Sequence, residues 1–412
     1  MRRGNSLLLG KERPLAGRRI WFVGIGGAGL SAYAIVAHAW GAEVGGWDRN
    51  ETPYLARVRE AGVVRLVVAD EPPAAPDGFE VVVSTAYRGR AEGRTRASFL
   101  AELVALMPSI VVSGAHGKTT TAGMIAFCLD QLGRDPSFVI GGEIPQLGTH
   151  ARAGDGWFVV EGDESDGTVA ELPARIAVIT NVDLDHHATF ASRAELEALF
   201  DEWLARIPGA VVIRGAELEP AALELAVPGE HNRRNAACAL AALAAGGVDR
   251  EEAAAALSQF RGAARRLELR GEADGVRVVD DYAHHPAEIE ATLAAARSLA
   301  RGGRLVVLFQ PHLYSRTRHL AHELAAALAR ADVVCVTDVY AAREEPPGDV
   351  TGKDVVDRLC ELRPGMSVGW APTVEASAAL VAGFARPNDV VLTIGAGDVD
   401  RAVPLILEKV GR

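Results

Sequence analysis

Lysine is almost missing from this 412-residue chain: Lys11, Lys118, Lys353 and Lys409 are the only four among 43 basic residues. Base composition accounts for such a bias in general. Even so, Lys118 directly follows a glycine in SGAHGKTTT (113–121), and a compact ammonium on a flexible stem suits a phosphate pocket in ways a planar guanidinium does not. Cysteine is equally sparse. Cys128, Cys238, Cys335 and Cys360 are scattered with no CxxC, which argues against a disulfide framework or a thiolate metal site. No run approaches 18 apolar residues, and MRRGNSLLLG is too short an apolar stretch for a signal peptide. A reduced, cytoplasmic location without membrane insertion is the expectation. Positive charge is also in deficit: the formal net charge is −11, which argues against a nucleic-acid or anionic-membrane surface, because counterion release needs clustered Lys and Arg. There is no solenoid-type repeat and no low-complexity tract.

What is present reads as a globular α/β protein. Hydrophobic residues make up 49% and charged residues 24%, and the length suits two or three domains. Val/Ile-rich runs at 19–24, 81–84, 109–114, 157–162, 176–181, 276–281, 304–310, 332–338 and 389–395 read as buried strands. Helical patterns or glycine turns follow them, the signature of parallel sheets. Pro108 disfavours helix at the residue before it, and FRGAARR (260–266) opens a new strand cluster. The expected division is 1–107, 108–262 and 263–412, three α/β units with ligands outside the carboxyl ends of the strands.

Two glycine loops stand out. VGIGGAGLSA (23–32) follows a strand and opens a helix, with Gly24, Gly26 and Gly29 in G-x-G-x-x-G spacing and Asp48 at the end of the next strand. Backbone amides there cradle a pyrophosphate, whether of NAD or of another diphosphate such as a nucleotide sugar. SGAHGKTTT is a shortened phosphate loop: Gly114 precedes Gly117 by three positions where the full motif needs five. Its flanks, strand before and helix after, are those of a P-loop. Gly114, His116, Gly117 and Thr120 would then line the phosphates, Lys118 would neutralise the transferring phosphoryl, and Thr119 would ligate Mg²⁺.

Five further segments carry polar side chains, four of them at strand ends and one at a helix start. VVEGDESDG (159–167) puts Glu161 where a carboxylate could bind Mg²⁺ beside ATP, though a solvated acidic turn would look similar. ITNVDLDHH (179–187) brings Asp185, His186 and His187, with zinc as the alternative metal. PGEHNRRN (228–235) places His231, Asn232 and Asn235 at a helix start, either for capping or to recognise an adenine edge. VVDDYAHHPAEI (278–289) and LFQPHLYSRTRHL (308–320) end strands with Asp281, Tyr282, His284, His285, His312, Arg316 and Arg318, a pattern suited to binding a carboxylate.

Taken in order, FVGIGGAGLSA, VVVSTA, GAHGKTTT, EGDESDG, TNVDLDHH, PGEHNRRN, ARRLE, VDDYAHHPAEI, FQPHLYSRT, DVYAAREEP and GAGDVD cover nearly the whole chain. In that order they resemble the Mur ligases. The resemblance implies a Rossmann-like N-terminal domain for a UDP-sugar, a central P-loop ATPase-like domain for ATP and Mg²⁺, and a C-terminal Rossmann-like domain. It implies an ATP-dependent amide ligation of L-alanine to UDP-N-acetylmuramate through an acyl phosphate, by a monomer or homodimer. Thr119, Glu161 and His186 would be metal ligands, and Lys118, His284 and Arg316 would serve catalysis. His231, Asn232, Asn235, Arg265 and Asp281 would hold ATP. Gly24, Gly26, Gly27, Gly29, Asp48 and Ser84 would hold the sugar nucleotide, with Tyr282, His284 and Arg316 at the amino-acid end. Related readings are a recycling ligase that uses a ready-made tripeptide, a non-catalytic paralogue, and an NAD oxidoreductase using only the first loop.

Several positions depart from the family pattern. The segment after VVVSTA lacks the usual Asn-Pro-Glu stretch, Ala115 stands where a Thr is usual, and Leu313 replaces a polar or basic residue. Only a dozen residues join 207–215 to 228–232, where relatives carry a small extra sheet. Some relatives hold a second Mg²⁺ through a carbamylated lysine; here no lysine lies between Lys118 and Lys353.

Overall fold

The computed structural model describes residues 13–183, 190, 192–300, 302–342 and 344–411. Its strands form three sheets. The first contains β1 (Arg19–Val23), β2 (Glu43–Asp48), β3 (Arg65–Val68), β4 (Glu80–Val83) and β5 (Arg94–Thr95), in the order β3-β2-β1-β4-β5. All its pairings are parallel. Helices α1 (Ala28–Ala39) and α2 (Pro53–Glu60) connect β1 to β2 and β2 to β3, and α3 (Arg96–Ala105) follows β5 and leads to the second sheet. Alternation along β1 sorts its side chains. Ile20 and Phe22 enter the core with Leu30, Phe99 and Leu100 of the helices, while Trp21 and Val23 meet Trp47 and Val83 on the other face.

The second sheet contains β6 (Ser109–Ser113), β7 (Ser137–Ile144), β8 (Thr149–Arg152), β9 (Phe158–Glu161), β10 (Ile176–Ile179) and β11 (Val211–Arg214), ordered β11-β10-β6-β9-β7-β8. Its helices are α4 (Lys118–Gln131), α5 (Arg193–Arg206), α6 (Glu230–Ala245) and α7 (Arg250–Leu257). The β7–β8 pair is antiparallel, a hairpin that the sequence reading did not anticipate. The third sheet contains β12 (Glu268–Ala273), β13 (Val276–Asp281), β14 (Leu305–Phe309), β15 (Val333–Val336), β16 (Ser367–Trp370) and β17 (Val390–Ile394), ordered β12-β13-β17-β14-β15-β16. Helices α8 (Pro286–Leu299), α9 (Tyr314–Leu328), α10 (Lys353–Leu362), α11 (Val374–Phe384) and α12 (Ala402–Val410) cover it. Only its edge strand β12 pairs antiparallel.

The chain packs into two compact units: one runs through Glu224 and adds Arg234–Phe260, and the other comprises Leu225–Arg233 and Arg261–Arg412. The first unit therefore holds two sheets. The reason is a shared core, in which Phe22 and Leu30 belong to the same hydrophobic cluster as Phe158 and Trp203. Helix α1 bridges them, packing on β7 and β8 as well as on β2. Trp40 meets Phe158 edge to face at 5.5 Å, and Ser31 Oγ lies 2.9 Å from His150 Nε2.

Candidate active site

In the first unit, each of the two glycine loops leads into a helix whose first turn contains no acidic residue. Such N-termini favour anions. Gly24 takes φ +87° and lies against Ser84 and the Tyr87 ring, while Asp48 Oδ2 accepts from the Gly26 amide at 2.8 Å. Asp48 thus braces the loop, and its Oδ1 accepts from the Asn50 amide. Gly29 faces the guanidinium of Arg96: a β-carbon there would come within 2.9 Å of Arg96 Nη1.

The shortened phosphate loop leaves β6 between β9 and β10. Gly117 caps α4 at φ 81°, ψ 0°, a left-handed conformation that glycine adopts without a steric penalty. A β-carbon at Gly117 would overlap the amide of Asn235 on α6, and one at Gly114 would overlap the Thr180 hydroxyl. The sequence reading missed the residues that pin this loop. Asn181 Oδ1 accepts from the His116 amide at 2.9 Å, and Asn181 Nδ2 and Thr180 Oγ1 both donate to the His116 carbonyl. The only sequence signal was a Thr-Asn pair at the end of a buried strand.

Lys118 Nζ donates to Gly114 O at 2.6 Å, Ala115 O at 3.2 Å and Glu164 Oε1 at 2.9 Å. Burial by itself would lower the pKa of this ammonium, but Glu164, Asp163 and Glu161 outweigh it and hold the value above that of an ordinary lysine. Glu164 is fully buried. Glu161 accepts from Thr119 Oγ1 at 3.0 Å and from the Gly141 amide at 2.7 Å. A β-carbon at Gly141 would press on the Glu161 carboxylate. Thr119 and Glu161 therefore offer hard oxygen ligands side by side, a set that fits Mg²⁺ completed by phosphate oxygens. Among the described residues no group of three His, Cys, Asp or Glu side chains could hold a metal alone. His186, with Asp185 and His187, lies outside the described residues.

The acidic turn divides its carboxylates between two tasks. Glu161 and Glu164 face the phosphate loop, whereas Asp163 and Asp166 both face Arg96. Arg96 Nη2 donates to Asp163 at 2.8 Å and Nε donates to Asp166 at 2.9 Å. Burial would push the Asp163 carboxyl up, but Arg96, Lys118 and the hydrogen bonds from Ser165 hold it below the usual range.

In the second unit, the ends of β13 and β14, the segment before β12 and the start of α6 carry the remaining candidates. The His284 ring packs edge-on against Tyr282 and tilted against His312, and His312 stacks on Tyr340 with an interplanar angle of 14°. Arg316 Nη1 lies 3.2 Å from His312 Nδ1. Tyr340 was not singled out from the sequence. Leu313 N donates to its carbonyl, which helps hold Leu313 at φ +69°. Arg265 and Asp281 are already engaged. The Arg265 guanidinium donates to Asp280 and to the carbonyls of Gly395 and Gly397. Asp281 accepts from the Leu267 and Ala283 amides and the Thr292 hydroxyl, and burial pushes its carboxyl up to about 6. Asn232 Nδ2 donates to Pro228 O at 2.7 Å, and burial lowers the pKa of the His231 imidazole.

Comparison with known proteins finds relatives along about 95% of the chain. The family model for the Mur ligase family catalytic domain matches residues 19–107, that for the Mur ligase middle domain 112–217, and that for the Mur ligase glutamate ligase domain 265–397. The UDP-N-acetylmuramate–L-alanine ligase of Kineococcus radiotolerans is 40% identical over 94% of this chain and 95% of its own length. That of Thermobifida fusca is 38% identical over 95% and 97%. The crystal structure of the UDP-N-acetylmuramate–alanine ligase of Thermotoga maritima superposes with a TM-score of 0.78 at 26% identity, covering 95% of this chain and 98% of that one. With both glycine loops, the strand-end clusters and full-length relatives in agreement, this chain belongs to the Mur ligase family.

Proposed function

We propose that this chain joins L-alanine to UDP-N-acetylmuramate at the expense of ATP, a step in building peptidoglycan precursors, and works in the cytoplasm. The observation that carries the reading is the pair of anion cradles in one compact unit, Gly24–Gly29 and Gly114–Lys118, with Lys118 and Glu161 on the second. Full-length relatives carrying that activity in their names support it. Working domain limits are 1–107, 108–262 and 263–412.

In this mechanism the glycine loop of α1, with Ser84 and Asp48, holds the sugar nucleotide so that its lactyl carboxylate meets the γ-phosphoryl of ATP. The amides of Gly114–Thr120 cradle the phosphates, and Lys118 leaves Glu164 to follow the γ-phosphoryl as it passes from the leaving ADP oxygen to the carboxylate oxygen. The products of this step are an acyl phosphate and ADP. The amine of alanine attacks the acyl carbon, the tetrahedral adduct collapses, and phosphate leaves. Thr119 and Glu161, with His186, would hold Mg²⁺, which supplies charge neutralisation at the phosphates. Asn235 sits against Gly117 and, with His231 and Asn232, would contact the nucleotide. By resemblance to the family, Arg265 and Asp281 would bind ATP, and Tyr282, His284 and Arg316 would bind alanine.

The test is phosphate release from ATP with UDP-N-acetylmuramate, plus and minus L-alanine, glycine, L-serine or a tripeptide. Release that requires L-alanine supports the assignment. Release only with tripeptide would replace it with recycling. Calorimetry should show UDP-N-acetylmuramate binding without ATP and no binding of NAD; tight NAD binding would revive a dehydrogenase reading.

A further inference from the structure

Arg96 occupies a position that the reaction outlined above does not explain. It begins α3 of the first sheet, and its guanidinium is mostly buried, with 18% of the side chain exposed. Two of its nitrogens are committed to the acidic turn of the second sheet, through Asp163 and Asp166. The third, Nη1, makes no hydrogen bond among the described residues and lies beside Gly29, the last glycine of the first anion cradle, with the buried Tyr33 hydroxyl near the same point. A second strut runs the same way: Thr85 Oγ1 donates to Asp166 Oδ2 at 2.9 Å, and Thr85 follows Ser84, which packs on Gly24. Two residues on separate segments, one beside each end of the Gly24–Gly29 loop, thus converge on one carboxylate.

That carboxylate belongs to the turn that organises the phosphate loop. Asp163 and Glu164 are consecutive, and their side chains go to Arg96 and Lys118 respectively. Fixing Asp163 and Asp166 from one side therefore restricts where Glu164, and with it Lys118, can sit. A guanidinium can make this connection because its fork offers separate donors in one rigid plane.

We propose that Arg96 is a positioning residue that couples occupancy of the first anion cradle to ATP binding at the second. A diphosphate oxygen on the Gly24–Gly29 loop takes the donor at Nη1 and completes a three-way clamp with Asp163 and Asp166. The clamp orders the turn carrying Glu161 and Glu164, so the ordering cost is met once, whichever substrate binds first, and the two bind cooperatively. The coupling is reciprocal. The inference rests on the sugar-nucleotide reading of the first loop and adds the route by which its occupancy reaches the metal and phosphate residues.

The test is calorimetric, on the full chain, with UDP-N-acetylmuramate and a non-hydrolysable ATP analogue with Mg²⁺. In the wild type, saturation with the sugar nucleotide should tighten the analogue's Kd by roughly ten- to a hundredfold, within the range usual for coupled sites. In Arg96→Gln the factor should fall toward one, while the analogue's Kd without sugar nucleotide changes less than threefold. Arg96→Lys, which keeps the charge but not the fork, should recover little of it. Asp166→Asn removes the acceptor facing Arg96 Nε and keeps one for Thr168, so it should lose part of the factor even if Arg96→Gln folds poorly. A purely structural role would lower the melting temperature of all three and leave the factor intact. Unchanged coupling in Arg96→Gln or, if that variant is unstable, in Asp166→Asn overturns the inference and leaves the assigned reaction standing. Failure of the wild type to bind the sugar nucleotide overturns both.

Discussion

Replacing Lys118 should damage this protein in two separable ways, and the structure sets the size of each. Lys118 is 14% exposed and Glu164 is fully buried, with 2.9 Å between Nζ and Oε1. Lys118→Met strips a buried carboxylate of its cation, and breaking such a pair from one side costs about 3–5 kcal/mol of stability. It also removes the positive charge at the transferring phosphoryl, worth about 3–4 kcal/mol of barrier, or two to three orders of magnitude in rate. Inactivity of the single variant alone would therefore be ambiguous. The double variant Lys118→Met/Glu164→Gln separates the two effects, because it removes the stranded charge along with the ammonium. Urea unfolding should place the double variant near the wild type and the single variant well below it, while phosphate release stays at background in both. Wild-type stability in Lys118→Met would show that the buried pair is not a significant interaction. Recovered turnover in the double variant would refute the phosphate-loop role of Lys118.

His150, on β8 against α1, is buried beside Ser31, Tyr54 and Arg57, and burial followed by Arg57 lowers its pKa to about 4. The unfolded chain takes up a proton below about 6.5 while the folded chain does not, so this residue's contribution is intact above 6.5 and falls by about 3 kcal/mol on the way to pH 4. Chemical unfolding of His150→Asn should show a shallower acid decline than the wild type; parallel declines would refute the assignment, and the opposing effect of Asp281 cancels in the comparison. Gly117→Ala should cost about 1–2 kcal/mol for the left-handed backbone alone and push Asn235 away. Phosphate release should drop sharply and recover in part when Asn235→Ser makes room; full activity of the single variant would contradict the close approach. Because no lysine lies between Lys118 and Lys353, turnover should be equal in CO₂-depleted and bicarbonate buffers at matched ionic strength. Bicarbonate stimulation would point to a carbamylated lysine.

Features governed by short stretches of chain were legible in the sequence. All nine apolar runs became strands, because a Val/Ile-rich run of five or so residues bounded by turns has few other ways to bury itself. Both glycine loops lead from a strand into a helix, since backbone that must adopt positive φ requires glycine locally, as at Gly24, Gly114 and Gly117. What the folded chain alone decided was pairing across distance. Nothing in VVEGDESDG tells which carboxylate meets Lys118, 46 residues earlier for Glu164, and which meets Arg96, 70 residues before Asp166. Nor could Asn181 be seen to hold His116, or Arg265 and Asp281 be seen to be engaged by the ends of their own sheet. The shared core of the first two sheets was equally hidden, because α1 carries small and apolar residues on more than one side and only packing shows that both sides are covered. Local conformation follows from local chemistry, whereas the partner of a charge is chosen by whichever distant segment the fold brings within 3 Å.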